Sequence, residues 1–291
     1  MNEEKDLRSN HITSDPDSKF TFFKSNFLYS PYFHYILPVL YFLIILFVSL
    51  TNRAIGDYGV ESDFYSGYAP QAKELLSGNL VIDPFKGPLY SIILSIVGFI
   101  CGEDFYFAGK IINIFSSAIA LIFVSKLIST LLNRESAFFG TLIIAVNYTF
   151  LTFTYTPDTD MLFFLFYISA LYFILKPDFV EFNKFVFIAG VLTSFAYLTR
   201  YTAISLIIFV SMFFLVRVYK WFRIRKNIPP PIFSPIIYYF IPVIIIIIAW
   251  GTISYKKTGH FFYNQNYENT SYTLYKPEGM SKEEWNDKYR R

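Results

Sequence analysis

The chain has 291 residues, of which 54% are hydrophobic and only 16% are charged, and its mean hydropathy is +0.40. A soluble domain carries about 25% charged residues, so this composition excludes an ordinary soluble protein and predicts an all-α polytopic membrane protein. The net charge of +3 comes from basic residues in short loops, which indicates membrane orientation and argues against nucleic-acid binding.

The first 31 residues are polar and predict a disordered cytoplasmic tail, residues 1–31, ahead of a membrane domain at 32–255. About 20 apolar residues are needed for a helix to cross a bilayer. Seven apolar runs are predicted as spans: 32–50, 105–131, 136–155, 161–175, 185–199, 202–219 and 236–255. The polar residues 256–291 are predicted to form an extracytoplasmic C-terminal tail.

The segment 53–104 is predicted to be a loop that carries two amphipathic helices on the membrane surface. In the first helix, apolar residues such as Phe64, Tyr68 and Ala72 recur at helical spacing on one face. The second, 88–101, is apolar but covers only about 21 Å at 1.5 Å per residue, less than the roughly 30 Å of the hydrocarbon core. We therefore expect it to lie on the membrane and not to cross it.

Loop charge assigns the orientation. The most basic loop, 217–226, is placed in the cytoplasm by the positive-inside rule. Counting spans back puts the N-terminus inside and the loop 53–104 outside, where it has seven acidic against three basic residues. Lys256 and Lys257, beyond the last span, count against this orientation. It places five ionisable residues at one extracytoplasmic face: Asp63, Lys86, Asp158, Asp160 and Arg200.

Each of these residues has a structural and a functional interpretation. Asp63 could only start a helix, and Lys86 and Arg200 could only anchor helix ends at the interface. Carboxylates and cations at one membrane face could equally serve as a base and as phosphate contacts. A divalent metal at Asp158 and Asp160 stays possible, although no His or Cys ligand set accompanies them, since Cys101 is the only cysteine.

The order and spacing of these residues resemble a known family. Asp63, an amphipathic helix, Lys86-Gly87-Pro88-Leu89-Tyr90, a short helix and then Asp160-Met161-Leu162 are similar to the C-type glycosyltransferases, in the protein O-mannosyltransferase and aminoarabinose transferase branch. The resemblance extends over roughly 32–220. The chain has Gly87 where the family usually has Pro, and it stops soon after its seventh span, so we expect a C-terminally short member.

The resemblance implies an enzyme that moves a sugar, with inversion, from a polyprenyl-phosphate-linked donor to a lipid, glycan or protein acceptor. The reaction would take place at the extracytoplasmic face of a plasma, inner or endoplasmic-reticulum membrane, among membrane lipids. Asp63 would be the base and Asp160 a second carboxylate that orients the acceptor. The substrate-binding candidates are Lys86, Arg200, Asp158, Glu61 and Tyr90. No cofactor is certain, and a divalent metal remains open.

Two alternatives stay open. The chain could be a non-catalytic or truncated membrane protein that retains the fold. A flippase or transporter of lipid-linked sugars is less favoured, because it would need internal repeats and polar residues near the middle of the membrane. The glycosyltransferase hypothesis predicts that four side chains converge in one cavity: Asp63, Lys86, Asp160 and Arg200.

Overall fold

The computed structural model describes residues 32–52, 63–83, 85–176, 183–224 and 233–261, together with Ser30 and parts of the segment 272–289. Apart from Ser30, the predicted N-terminal tail lies outside the described residues, as do Glu61 and much of the predicted C-terminal tail. Within the described ranges every regular element is a helix, which confirms the all-helical class.

In chain order the helices are α1 (Phe33–Thr51), a π-helix (Phe64–Tyr68) continued by α2 (Ala69–Leu76), α3 (Pro88–Ile100), α4 (Phe105–Leu131), α5 (Arg134–Ala145), α6 (Tyr148–Tyr155), α7 (Asp160–Leu175), α8 (Asn183–Thr199), a 3₁₀ turn (Tyr201–Ala203), α9 (Ile204–Ile224), α10 (Phe233–Thr258) and α11 (Lys282–Tyr289).

Four helical stretches in the described part of the chain are long and apolar enough to cross a membrane: α1, α4, Tyr201–Tyr219 and Ser234–Thr258. The pair α5 and α6, bent by 60° at its break, would make a fifth. The two other predicted spans correspond to α7 and α8, which are apolar but only 16 and 17 residues long. The structure therefore supports four to five spans, and the count of seven stays a prediction.

Helix α4 is the centre of the molecule. Its apolar window is 61% buried, whereas the windows of the other three long spans are 22–28% buried. It packs against α1, α3, α5 and α7. Small buried residues along α4, such as Gly109, Ser116 and Ser117, let these neighbours approach closely, as is usual at helix interfaces in membranes.

The stretch 136–155, which the sequence predicts as one span, is broken in two. The break comes at Asn147, whose side chain accepts a hydrogen bond from the backbone N–H of Phe150. Asn is among the residues that best cap a helix N-terminus, so it starts a new helix, α6, at Tyr148. The apolar pattern alone does not show this change of direction.

Helices α8 and α10 pack with almost no space between their backbones. A methyl group at Gly190 would lie 2.3 Å from the backbone oxygen of Tyr239. Helix α8 also packs against α7 and α3. The end of α8 thus lies beside the loop between α1 and α4, so that residues of this loop and residues that follow α8 are neighbours.

Candidate functional site

A cavity of about 720 Å³ opens where the first loop meets the break between α8 and α9. Its lining is mainly polar and aromatic. The lining residues are Asp63, Tyr68, Phe85, Lys86, Gly87, Thr199, Arg200, Tyr201 and Thr202. Three of the residues that the sequence singled out, Asp63, Lys86 and Arg200, therefore share one cavity.

The first ion pair of the cavity joins Lys86 and Asp63. The Lys86 Nζ lies 3.4 Å from Asp63 Oδ1, and it also donates a hydrogen bond of 3.4 Å to the Asp63 backbone oxygen. Asp63 precedes the π-helix Phe64–Tyr68, a type of turn that is frequent at functional sites. The π-helix buries Phe64 while the Asp63 side chain stays 58% exposed, so the carboxylate is accessible from the cavity.

The second ion pair joins Arg200 and Asp160. Helix α8 ends at Thr199, and Arg200 has an extended backbone that turns its guanidinium towards Asp160. There the Nη1 group donates a hydrogen bond to the Asp160 Oδ1. Burial raises the pKa of the Asp160 carboxyl from its ordinary value, and the Arg200 guanidinium opposes that rise.

Tyr68 lies between the two ion pairs. The Lys86 Nζ lies 5.0 Å from the centre of its ring, within the range of a cation–π contact. Its hydroxyl is hydrogen-bonded to Thr159, the residue before Asp160. Burial raises the Tyr68 pKa to about 12, so the hydroxyl keeps its proton at neutral pH. From the sequence, Tyr68 was only one apolar-face residue of an amphipathic helix.

The turn at Lys86 is fixed by its contacts with the end of α8 and with Tyr201. A methyl group at Gly87 would lie 2.1 Å from the backbone oxygen of Leu198, so only glycine fits beside the end of α8. The Tyr201 hydroxyl donates a hydrogen bond of 3.3 Å to the Lys86 backbone oxygen. Tyr201 is also hydrogen-bonded to Trp250 of α10. Neither Tyr201 nor Trp250 had a signal in the sequence that linked it to this site.

Asp158 and Tyr90 are buried beneath the cavity and do not line it. Asp158 Oδ1 accepts hydrogen bonds from the backbone N–H of Asp160, at 2.8 Å, and from Asn113 Nδ2, at 3.2 Å. Asn113 also donates to the backbone oxygen of Thr156, which ties the turn before α7 to α4. Of the remaining candidates, Glu61 lies outside the described residues.

A second cavity, of about 490 Å³, lies on the other side of Asp160. Its walls come from the bend between α5 and α6 and from the start of α7. They are mostly apolar: Ile143, Ile144, Phe150, Phe153, Met161, Phe163 and Phe164, with Asn147, Thr149 and Asp160 as the polar members. Asp160 therefore lines the apolar cavity and adjoins the polar one through its ion pair with Arg200.

Metal binding has no ready-made ligand set in the described ranges. No group of three or more His, Cys, Asp or Glu side chains is placed there to hold an ion.

Comparison with known proteins identifies a family that the chain matches. A family model described as dolichyl-phosphate-mannose-protein mannosyltransferase matches residues 85–250, which is more than half of the chain and includes Lys86, Asp160 and Arg200. Asp63 precedes the matched range. Neither the comparison with curated proteins nor that with solved structures found a match. On the extent of the family match, the chain belongs to the dolichyl-phosphate-mannose-protein mannosyltransferase family and is a membrane glycosyltransferase of the C type.

Proposed function

We propose that the chain transfers a sugar from a polyprenyl-phosphate-linked donor to an acceptor hydroxyl at the extracytoplasmic face, with inversion at the anomeric carbon. The observation that carries this proposal is a cavity lined by Asp63, Lys86 and Arg200, in which Lys86 is paired with Asp63 and Arg200 with the adjoining Asp160. Sugar transfer from a phosphate carrier needs both kinds of group: a base for the acceptor and cations for the leaving phosphate.

The cations are suited to exchange their partners. An ion pair with an exposed member contributes only about 0–1 kcal/mol to stability, so the Lys86–Asp63 contact opposes ligand binding weakly. The phosphodiester of the donor becomes a phosphate monoester as the sugar leaves, which offers more acceptor oxygens than one carboxylate, and Arg can bind it through two parallel hydrogen bonds. Lys86 and Arg200 would turn from Asp63 and Asp160 to the phosphate when the donor enters.

The proposed transfer step forms one bond and breaks one bond. The acceptor oxygen forms a bond to the anomeric carbon, and the bond from that carbon to the phosphate oxygen breaks. Asp63, released from Lys86, takes the hydroxyl proton, and the electron pair of the broken bond leaves on the phosphate, where Lys86 and Arg200 stabilise it. Because the acceptor attacks opposite the leaving phosphate, one displacement inverts the anomeric centre. Asp160 orients the acceptor.

The apolar cavity beyond Asp160 supports a lipid-linked substrate. Its walls are aliphatic and aromatic, and it adjoins the Asp160–Arg200 pair. A hydrocarbon chain could lie there while its polar end reaches the ion pair. The family description names dolichyl phosphate mannose and protein, so this donor and a protein acceptor are the first pair to test.

The test is transfer of radiolabelled mannose from dolichyl phosphate mannose by the full chain in lipid nanodiscs, with released polyprenyl phosphate as the second readout. Replacing the base, Asp63→Asn, should lower the rate about 10²–10⁴-fold. The control is Asp104→Asn, since Asp104 lies in the same loop but does not line the cavity, and its side chain accepts the Phe107 N–H.

Two outcomes would count against the proposal. A rate that Asp63→Asn leaves unchanged would exclude Asp63 as the base. A wild-type chain that binds the donor but releases no polyprenyl phosphate with any acceptor class would favour the non-catalytic alternative.

A further inference from the structure

Asp83, in the connection between α2 and α3, accepts three hydrogen bonds with one carboxylate. Its Oδ1 accepts from the backbone N–H of Phe85 at 2.7 Å and from that of Lys86 at 3.1 Å. Its Oδ2 accepts from Gln71 Nε2 at 2.9 Å. Hydrogen bonds to an ionised acceptor are stronger than those between neutral groups, so this carboxylate holds its neighbours firmly.

These bonds connect the segment that carries Asp63 to the turn that carries Lys86. Gln71 belongs to α2, which continues directly from the π-helix behind Asp63. The Gln71 Oε1 in turn accepts a hydrogen bond of 2.8 Å from the Ser91 hydroxyl of α3. Both Gln71 and Ser91 are buried, so water cannot easily replace their partners.

We propose that Asp83 is a positioning residue, which holds the Lys86 turn so that the ammonium group reaches the cavity beside Asp63. This inference rests on the proposed function, in which Lys86 binds the donor phosphate. Asp83 does not line the cavity. It acts through the backbone N–H of Lys86, while Tyr201 holds the backbone oxygen of the same residue from the other side.

The chemistry of position 83 predicts a graded series of variants. Asp83→Ala removes all three hydrogen bonds. Asp83→Asn keeps one oxygen for the two backbone N–H groups but turns an NH₂ group towards the NH₂ group of Gln71. If the Gln71 amide rotates to accept that hydrogen bond, it loses the one from Ser91. The Asn variant should therefore lie between the wild type and the Ala variant.

The experiment measures the rate at which a water-soluble acylating reagent modifies Lys86 in the purified full chain, followed by mass spectrometry. The Lys86 side chain is only 11% exposed in the resting structure. We expect the labelling rate of Lys86 to rise at least about threefold in Asp83→Ala and less in Asp83→Asn. Addition of dolichyl phosphate should slow the labelling of Lys86 in the wild type and less so in Asp83→Ala.

The matched control is Asp104→Ala, because Asp104 also accepts a backbone N–H, that of Phe107, at the start of a helix. It should leave the Lys86 rate unchanged, and Lys126 should be labelled equally in all variants. If Asp83→Ala does not fold, Gln71→Met removes the Oδ2 contact together with the Ser91 hydrogen bond, keeps both backbone bonds of Oδ1 and should still raise the Lys86 rate. Equal Lys86 rates in the folded variants and the wild type would overturn the proposal.

This readout separates the two proposals, since labelling needs no turnover. If no donor is ever consumed, the labelling series still decides the role of Asp83. If transfer is found but Lys86 is labelled equally in all variants, the proposed function stands and the positioning role of Asp83 falls.

Discussion

At the scale of single residues, the absence of a side chain at Gly67 leaves the space that the Lys86 ammonium group occupies. A methyl group at Gly67 would lie 2.0 Å from the Nζ of Lys86. The clashing atom is the end of a flexible side chain, so the backbone could stay in place while the ammonium moves. A substitution at Gly67 therefore displaces the Lys86 ammonium group without changing Lys86 itself.

We expect Gly67→Ala to lower the transfer rate at least about tenfold, because the displaced ammonium stabilises the leaving phosphate less well. The melting temperature should change little. The transfer rate and the melting temperature of Gly67→Ala, Lys86→Met and the double variant are the measurement. If the two changes act on the same group, the double variant should be no slower than Lys86→Met alone; additive losses would contradict this.

The Arg200–Asp160 pair predicts a pH dependence. Burial raises the pKa of Asp160, and Arg200 opposes that rise, so removal of the positive charge leaves burial unopposed. In Arg200→Gln the carboxyl should therefore gain its proton at a higher pH. The acid limb of the transfer rate should therefore move to higher pH. Arg200→Lys keeps the charge and should keep the limb near its wild-type position; equal limbs in both variants would contradict the prediction.

At this scale the sequence was informative about which residues matter and silent about how they pair. The order Asp63, Lys86, Asp160 and Arg200 predicted one shared cavity; three of these side chains line it, and Asp160 reaches it only through its ion pair with Arg200. Which carboxylate faces which cation depends on backbone breaks that no local pattern encodes. Tyr68 was missed because it is one of 24 tyrosines, and tyrosine is common at any membrane interface.

At the scale of elements, the start of α3 is held against the end of α8 by backbone contact. A methyl group at Gly87 would lie 2.1 Å from the backbone oxygen of Leu198 and 2.8 Å from that of Thr199. Neither oxygen can rotate away as a side chain could. The two helices would have to separate, and Lys86 would move with α3.

We expect Gly87→Ala to destabilise the protein by about 1–3 kcal/mol, as overpacking in a tight interface does. The measurement is the melting temperature in detergent, together with the transfer rate. Gly140→Ala is the control, since its methyl group would meet only the tip of Ile128 at 2.8 Å, a side chain that can move. An equal loss of stability in both variants would argue against a special role for the contact between α3 and α8.

Element boundaries were predictable where a single residue type determines them and unpredictable elsewhere. Gly87-Pro88 indicated the start of α3, which the structure places at Pro88. The break at Arg200 was also expected, and it is present as a 3₁₀ turn. The bend at Asn147 was not expected, because the apolar run continues through it and only the cap of α6 reveals it.

At the scale of the whole molecule, hydropathy predicted a helical membrane protein, and the structure and the family match confirm that class. The number of spans is less certain from the sequence. Helices α7 and α8 are apolar but short, and they pack against each other and against further helices of the chain. Hydropathy cannot distinguish a short span from a buried helix of equal length.

Cys101 is a natural reporter of orientation, because it is the only cysteine in the sequence and lies at the end of α3. If the first loop is extracytoplasmic, a membrane-impermeant maleimide should label Cys101 in intact cells. Burial and the nearby Asp104 carboxylate raise the pKa of the Cys101 thiol, so labelling should become faster as the pH rises.

The control uses Cys101→Ser, which should not be labelled, and Glu135→Cys on that background, placed in the turn predicted to face the cytoplasm. The new cysteine should react only after the cells are permeabilised. Labelling of Glu135→Cys but not of Cys101 in intact cells would reverse the proposed orientation.

Each cation of the cavity carries its own counter-ion. Two positive and two negative side chains leave the empty cavity close to electroneutral, so it projects little field into the surrounding water. A soluble anion would therefore gain no long-range attraction, whereas a carrier confined to the membrane reaches the cavity by lateral diffusion. If the proposed donor is the substrate, such a site would select for phosphate on contact and would discriminate against the free anions of the aqueous phase.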